Sequence, residues 1–212
     1  MDVTILKHEK NIRFSDIERF LPFVNAERQQ RIARLIPEKS KVTSLMSGML
    51  LSAVLSERCG VFPNELCYAY GEHGKPFLAS HPECCFSLSH SGELVALVCS
   101  DSPVGIDVQK IDRDKEHGMR FLHPNERQSV LTAEDKAAEF CRLWTMKEAY
   151  VKLTGEGMSH SFSSFDVLNM EECEFRTQRM GEYMLTICTN NFTSEPKIHT
   201  ITENELIDHL FY

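Results

Sequence analysis

Two short stretches carry side chains from which a metal and phosphate site can be built: Trp144 to Lys152 and Val104 to Gln109. In Trp144-Thr145-Met146-Lys147-Glu148-Ala149-Tyr150-Val151-Lys152 the apolar spacing is helical, and Trp144, Glu148 and Lys152 stack on one side, a turn apart. That stripe admits two readings. One is an aromatic anchor followed by a solvated Glu-Lys pair, worth about 0.3–0.5 kcal/mol. The other is a metal-binding carboxylate flanked by two phosphate-handling lysines, Lys147 and Lys152. In Val104-Gly105-Ile106-Asp107-Val108-Gln109 the alternation is that of a strand. Val104, Ile106 and Val108 face one side, and Gly105, Asp107 and Gln109 the other.

Further polar groups surround these two stretches in the sequence. Ser87 and Ser89 share one face of a preceding strand, with His90 at its end. In Tyr70-Gly71-Glu72-His73-Gly74-Lys75-Pro76 two glycines let backbone approach a ligand, while Pro76 stiffens the turn presenting Lys75. This is not a Walker A loop, which needs four residues between its glycines and a Ser or Thr after the lysine. Arg28, Arg31 and Arg34 recur every third residue, followed by Lys39 and Lys41. On a helix they form a cationic stripe, either solvated or an anion site.

The elements that must position these groups follow from periodicity. Val42, Leu45, Met46, Met49, Leu50, Ala53 and Val54 keep the i, i+3, i+4, i+7 pattern of a buried helix, with Gly60 placed to end it. Cys84 to His90, Leu94 to Ser100 and Val104 to Gln109 are strands separated by tight turns, which predicts an antiparallel meander and excludes a Rossmann-type unit. Residues 110–132 are charged and irregular, with a helix entered at Pro124. A longer helix runs from about Ala133 to Leu153 and is stopped by Gly155-Glu156-Gly157. Strands follow at Phe165 to Leu168, Cys173 to Thr177, Tyr183 to Thr189 and Ile198 to Ile201. The order helix, glycine-rich turn, antiparallel strands thus occurs twice, with Gly71 to Gly74 echoed by Gly155 to Gly157. The expected fold is α+β: a pseudo-twofold duplication of two similar halves, 1–104 and 105–212, each a small antiparallel sheet packed with helices. The crevice between such halves is a favoured place for a small-molecule site.

Composition narrows the function. The 212 residues are 42% hydrophobic and 25% charged, as in soluble globular proteins. The amino terminus lacks the basic-then-apolar pattern of a signal peptide, and the longest apolar run, Leu45 to Leu55, is too short for a membrane span. A cytoplasmic protein that contacts neither membrane nor nucleic acid is expected, the latter from a net charge of −8. The eight cysteines include no Cys-x-x-Cys pair and read as small reduced core residues. His81, Cys84 and Cys85 lack the second pair of ligands that a zinc site needs.

Four segments in order, Gly74-Lys75-Pro76, Phe86-Ser87-Leu88-Ser89-His90-Ser91, Val104-Gly105-Ile106-Asp107-Val108 and Trp144-Thr145-Met146-Lys147-Glu148-Ala149 through Lys152, resemble the 4′-phosphopantetheinyl transferases. The likeness is to the surfactin-synthetase-activating (Sfp) type, whose single chain holds both halves. It covers Gly71 to Gly157 best. It implies Mg²⁺-dependent transfer of the phosphopantetheine arm of coenzyme A to a serine of an apo acyl, polyketide or peptidyl carrier protein, with release of adenosine 3′,5′-bisphosphate. By family position Asp107 and Glu148 hold the metal, with Gln109 standing where many members have Glu. Lys75, Ser89 and His90 contact the coenzyme A phosphates, and Arg28 and Arg31 lie near the 3′-phosphate. Glu148, Lys147 and Lys152 carry the catalysis: Glu148 as candidate base, the lysines offsetting charge on pyrophosphate and leaving group. Mg²⁺ prefers hard oxygen donors and commonly takes one or two carboxylates plus substrate phosphates, which suits Asp107 and Glu148. A site built within one chain implies a monomer. The other reading is a relative that binds coenzyme A or a carrier protein without turnover.

Overall fold

Alternation along the strands dictates the layering. In a computed structural model, which describes residues 1–112, 118–157 and 161–211, β1 (Asp2–Lys7) and β5 (Leu94–Ser100) send side chains to two different cores. Leu6, Val95, Leu97 and Cys99 pack with Leu45, Met46, Met49 and Leu50 of the long helix α3 (Glu38–Cys59). Their neighbours Val3, Ile5, Leu94, Ala96 and Val98 pack instead against Val104, Ile106 and Val108 of β6 (Val104–Lys110). Two sheets therefore lie face to face, and helices cover the outer sides.

The first sheet has the order β4-β5-β1-β9, with β4 at Cys85–Ser91 and β9 at Lys197–Thr202; the second has the order β6-β8-β7, with β7 at Glu174–Met180 and β8 at Tyr183–Thr189. A small hairpin, β2 (Tyr68–Tyr70) with β3 (Pro76–Leu78), carries the glycine-rich loop. On the first sheet's side the helices are α1 (Phe14–Ile17), α2 (Ala26–Arg34), α3 and α6 (Glu203–Phe211). On the second sheet's side they are α4 (Pro124–Thr132) and α5 (Lys136–Thr154).

The duplication is visible in this topology. β1 is followed by helices, then by the β4–β5 hairpin, whose second strand pairs with β1. β6 is followed by helices, then by the β7–β8 hairpin, whose second strand pairs with β6. The two hairpins correspond residue by residue at one constant offset. Cys84 matches Cys173, Phe86 matches Phe175, Glu93 matches Glu182, and Cys99 matches Cys188. Gly92 and Gly181 match too, both at the turn with positive φ of 56° and 61°. The glycines that correspond at the helix ends are Gly60 and Gly155, both left-handed caps. They replace the expected echo between Gly71 to Gly74 and Gly155 to Gly157.

Two expectations need correction. The third strand of the predicted meander leaves the first sheet, because β6 pairs with β8 rather than with β5. Phe165 to Leu168 is not a strand; the Phe165 carbonyl turns inward to a buried lysine described below. The expected division at 104/105 falls at the first residue of β6. β9 and α6 come after it in the chain; β9 runs parallel to β1 and α6 packs on α3. Of the charged segment 110–132, residues 113–117 lie outside the described residues.

Candidate active site

Gly105 sets the distance between strand and helix. A Cβ there would run into the Ala149 carbonyl oxygen and stand 2.6 Å from the Leu153 nitrogen, so β6 rests directly on the backbone of α5. Asp107, two residues along on the same face, is thereby carried under the stripe of Glu148 and Lys152. Helix α5 is held at its start by Asp135, whose carboxylate accepts from Ala138 N at 3.1 Å. Trp144, one turn before Glu148, is an aromatic anchor, packed 5.2–6.5 Å from the rings of Phe162, Phe140 and Phe121.

Asp107 is 1% exposed. Its Oδ1 accepts from Lys152 Nζ at 2.7 Å and from Ser89 Oγ at 2.6 Å. Among the described residues its Oδ2 receives only Gln109 Nε2, at 3.3 Å. Lys152 also donates to the Ile106 carbonyl at 3.0 Å, so it serves β6 and not Glu148. The simple Glu-Lys surface pair is therefore absent. Glu148 makes no hydrogen bond or ion pair among the described residues, and burial, together with the nearby Asp107 carboxylate and against the pull of Lys152, raises its pKa.

A second carboxylate, half-buried, unpaired and beside an ionisable neighbour, is a place where a cation lowers the energy. Among the described residues no three His, Cys, Asp or Glu side chains converge. The donor set around Asp107 comprises two carboxylates and the Gln109 amide. That set fits Mg²⁺, which completes its shell with water and substrate phosphate oxygens. Gln109 turns its NH₂ to Asp107, and ligation through oxygen requires the amide to flip.

Positive charge gathers on the first half's side. Asn25 caps α2 by accepting from Arg28 N at 2.8 Å. Gly48 lets α2 lie close on α3: a Cβ there would collide with the Arg28 side chain and stand 2.6 Å from Val24 Cγ1. Arg28 donates to the Ser44 carbonyl at 3.2 Å, and burial followed by the charge of Arg31 lowers its pKa. His90, at the end of β4, is held below the usual histidine range by desolvation and then by Lys152, Arg28 and Arg31. Four cationic or titratable groups from α2, β4 and α5 thus share one field. An unfilled cluster of this kind attracts a polyanion.

Three sequence-predicted residues are employed otherwise. Lys147 is fully buried and spends its ammonium group on Glu126 Oε1 at 2.8 Å and on the carbonyls of Phe162 and Phe165 at 2.6 and 2.7 Å. Glu126 is equally buried and accepts from His123 N and Val167 N, at 2.8 and 2.9 Å. The pair ties α5, α4 and the segment after α5 together, and the Lys147 ammonium is fully excluded from solvent. Lys75 donates to the carbonyls of Val104 and Leu153 at 3.3 and 3.1 Å, where burial lowers its pKa. It clamps the glycine-rich loop to the first residue of β6. Ser89 is 5% exposed, and its hydroxyl is committed to Asp107.

Sequence reasoning overlooked Glu126. Its only signal was local: His123-Pro124-Asn125-Glu126 has the spacing of a helix start with a carboxylate at the third position, which caps the helix while its other oxygen meets Lys147.

With the geometry in place, comparison with known proteins adds the following. Residues 103–205 match the model of the 4′-phosphopantetheinyl transferase superfamily, and residues 12–102 match that of the 4′-phosphopantetheinyl transferase N-terminal region. The 4′-phosphopantetheinyl transferase psf-1 of Bacillus pumilus is 29% identical over 219 residues, covering 95% of this chain and 94% of its own. The 4′-phosphopantetheinyl transferase Sfp of Bacillus subtilis (strain 168) is 31% identical over 154 residues, covering 71% of this chain and 68% of its own. The 4′-phosphopantetheinyl transferase AcpT of Salmonella typhimurium is 31% identical over 179 residues, covering 79% and 86%.

Proposed function

The chain belongs to the 4′-phosphopantetheinyl transferase superfamily, and from that premise we propose how its residues divide the work of transfer. The reaction moves the phosphopantetheine arm of coenzyme A to a serine of an apo carrier protein. The serine oxygen bonds to the phosphorus next to the pantetheine, the anhydride bond of the pyrophosphate breaks, and adenosine 3′,5′-bisphosphate leaves. The observation that carries the assignment is the juxtaposition of unpaired Glu148 with Asp107, fixed by the contact of Gly105 with α5.

In this reading Asp107 and Glu148 would hold Mg²⁺, with Gln109 contributing its amide oxygen or leaving the position to water. The bound ion supplies charge stabilisation to the pyrophosphate. Phosphoryl transfer leaves little covalent work to the protein, so the side chains mostly position and neutralise. His90, Arg28 and Arg31 receive the phosphates of coenzyme A. Lys152 holds Asp107 in place with one N–H, the β6 backbone with another, and offers the third to the leaving group. Glu148 is also the candidate to take the proton of the attacking serine. Lys147 has no part in this chemistry. The enzyme is proposed to be of the holo-[carrier protein] synthase type, Mg²⁺-dependent, monomeric and cytoplasmic, acting without nucleic acid or membrane. No helix among the described residues is long and apolar enough to cross a membrane.

A non-catalytic binder of coenzyme A or carrier protein is the competing reading, and the joint retention of Asp107, Glu148 and Lys152 in one arrangement speaks against it. The test is substitution of the two carboxylates. Asp107→Ala and Glu148→Ala are expected to abolish transfer while near-ultraviolet circular dichroism stays native; wild-type rates in both refute the assignment.

A further inference from the structure

An edge strand exposes a row of backbone donors and acceptors, and each needs a partner when buried. β6 is the edge of the second sheet, and β4 is the edge of the first. The two meet without forming a backbone ladder. Instead every second N–H of β6 is taken by a serine hydroxyl of β4: Ile106 N donates to Ser87 Oγ at 3.1 Å, Val108 N to Ser89 Oγ at 3.2 Å and Lys110 N to Ser91 Oγ at 2.9 Å. The carbonyls on that edge are met by lysines, Val104 by Lys75 and Ile106 by Lys152. Serines two apart on a strand share one face, so the spacing Ser-x-Ser-x-Ser is what the seam requires.

The middle rung differs from its neighbours. Ser89 accepts from Val108 N and then hands its own proton to Asp107 Oδ1 at 2.6 Å. Together with Lys152 it occupies Oδ1 and leaves Oδ2, among the described residues, with only the 3.3 Å contact to Gln109. We propose that Ser89 is a positioning residue for Asp107: one rung of a serine seam between the halves, it fixes which carboxylate oxygen faces the metal, and it does not contact coenzyme A. Ser87 and Ser91 hold the same seam and, among the described residues, make no hydrogen bond to a carboxylate. The inference rests on the reading of Asp107 as a metal-binding residue.

Ser87→Ala, Ser89→Ala and Ser91→Ala are compared in the full chain. Each strands one backbone N–H, buried at Ile106 and Val108 and half-buried at Lys110, and is expected to lower the melting midpoint by a few degrees. Only Ser89→Ala is expected to weaken binding of Mn²⁺, used as the probe ion and followed by electron paramagnetic resonance without substrate, by roughly tenfold. It lowers kcat while leaving KM for coenzyme A unchanged. Ser89→Thr, which keeps the hydroxyl, restores Mn²⁺ binding. A melting-midpoint cycle between Ser89→Ala and Asp107→Asn, read without any metal, is expected to be non-additive.

Two results overturn the proposal: a raised KM for coenzyme A in Ser89→Ala with Mn²⁺ affinity intact, or additive melting shifts in the cycle. If wild-type protein itself binds no Mn²⁺ while the cycle still shows coupling, the metal reading fails and the hydroxyl–carboxylate link stands.

Discussion

Lys147 lies in the same short motif as Glu148, yet the structure makes it a structural residue, and this can be tested quantitatively. Replacing it with Met removes the ammonium group and leaves Glu126 charged, with both side chains fully excluded from solvent. It also strips the carbonyls of Phe162 and Phe165 of their donor. Breaking a buried ion pair by removing one partner costs about 3–5 kcal/mol. For a chain of this size each kcal/mol moves the melting midpoint by roughly 2–4 °C, which gives a fall of about 6–20 °C. Lys147→Met combined with Glu126→Gln removes the stranded charge and is expected to regain roughly half of that loss. Urea and thermal unfolding measure the stability, and transfer assayed at a temperature where the variant is folded measures the chemistry. The double variant is expected to keep kcat/KM within about tenfold of wild type, a change of about 1.4 kcal/mol. A Lys147→Met protein of native stability that has lost transfer by a thousandfold refutes the structural assignment.

Three other perturbations follow from the same geometry. Glu148 titrates higher folded than unfolded, so the stability linked to its proton is present below the ordinary carboxylate range and lost as pH rises through the folded value. In metal-free protein at pH 7–8, Glu148→Gln is therefore expected to melt above wild type while transfer falls at least about a hundredfold; the melting difference closes near pH 4, and a lower midpoint at pH 8 contradicts it. Gln109→Glu places a third carboxylate beside Asp107 and is expected to keep activity and reduce the half-saturating Mg²⁺ concentration by roughly tenfold, whereas a folded but inactive variant counts against the metal site. Gly105→Ala drives a methyl into the Ala149 carbonyl and is expected to cost about 3 kcal/mol or more, and an unchanged urea midpoint rules out the close contact.

Much of this arrangement was legible in the sequence, because period-2 alternation assigns faces unambiguously. Alternation alone places Gly105 and Asp107 on the face opposite Val104, Ile106 and Val108, and that face does meet α5. Helical periodicity likewise sets Glu148 and Lys152 on one stripe. What could not be read was pairing. Val104 to Gln109 follows a tight turn, and a strand after a tight turn normally pairs with its predecessor; here the first sheet is already closed on that side by β1, so β6 joins β8. Nor does sequence reveal where an ammonium group ends. Lys75, Lys147 and Lys152 look alike as residues, but one clamps a loop, one is sealed with Glu126, and one reaches Asp107. The duplication was legible only in outline, since its residue-level register lies in the hairpins Cys84 to Ser100 and Cys173 to Thr189 and not in the glycine-rich turns.

Transfer of a phosphopantetheine arm by this chain, through a site built around Asp107 and Glu148, can be read on the carrier itself. Incubation with coenzyme A, Mg²⁺ and a panel of apo carrier proteins, followed by intact-mass measurement of the carrier, tests it most directly. A single mass gain equal to one phosphopantetheinyl group is expected, absent when the acceptor serine is replaced by alanine and absent with the Asp107→Ala protein. Carriers that all remain apo with the folded wild-type enzyme contradict it.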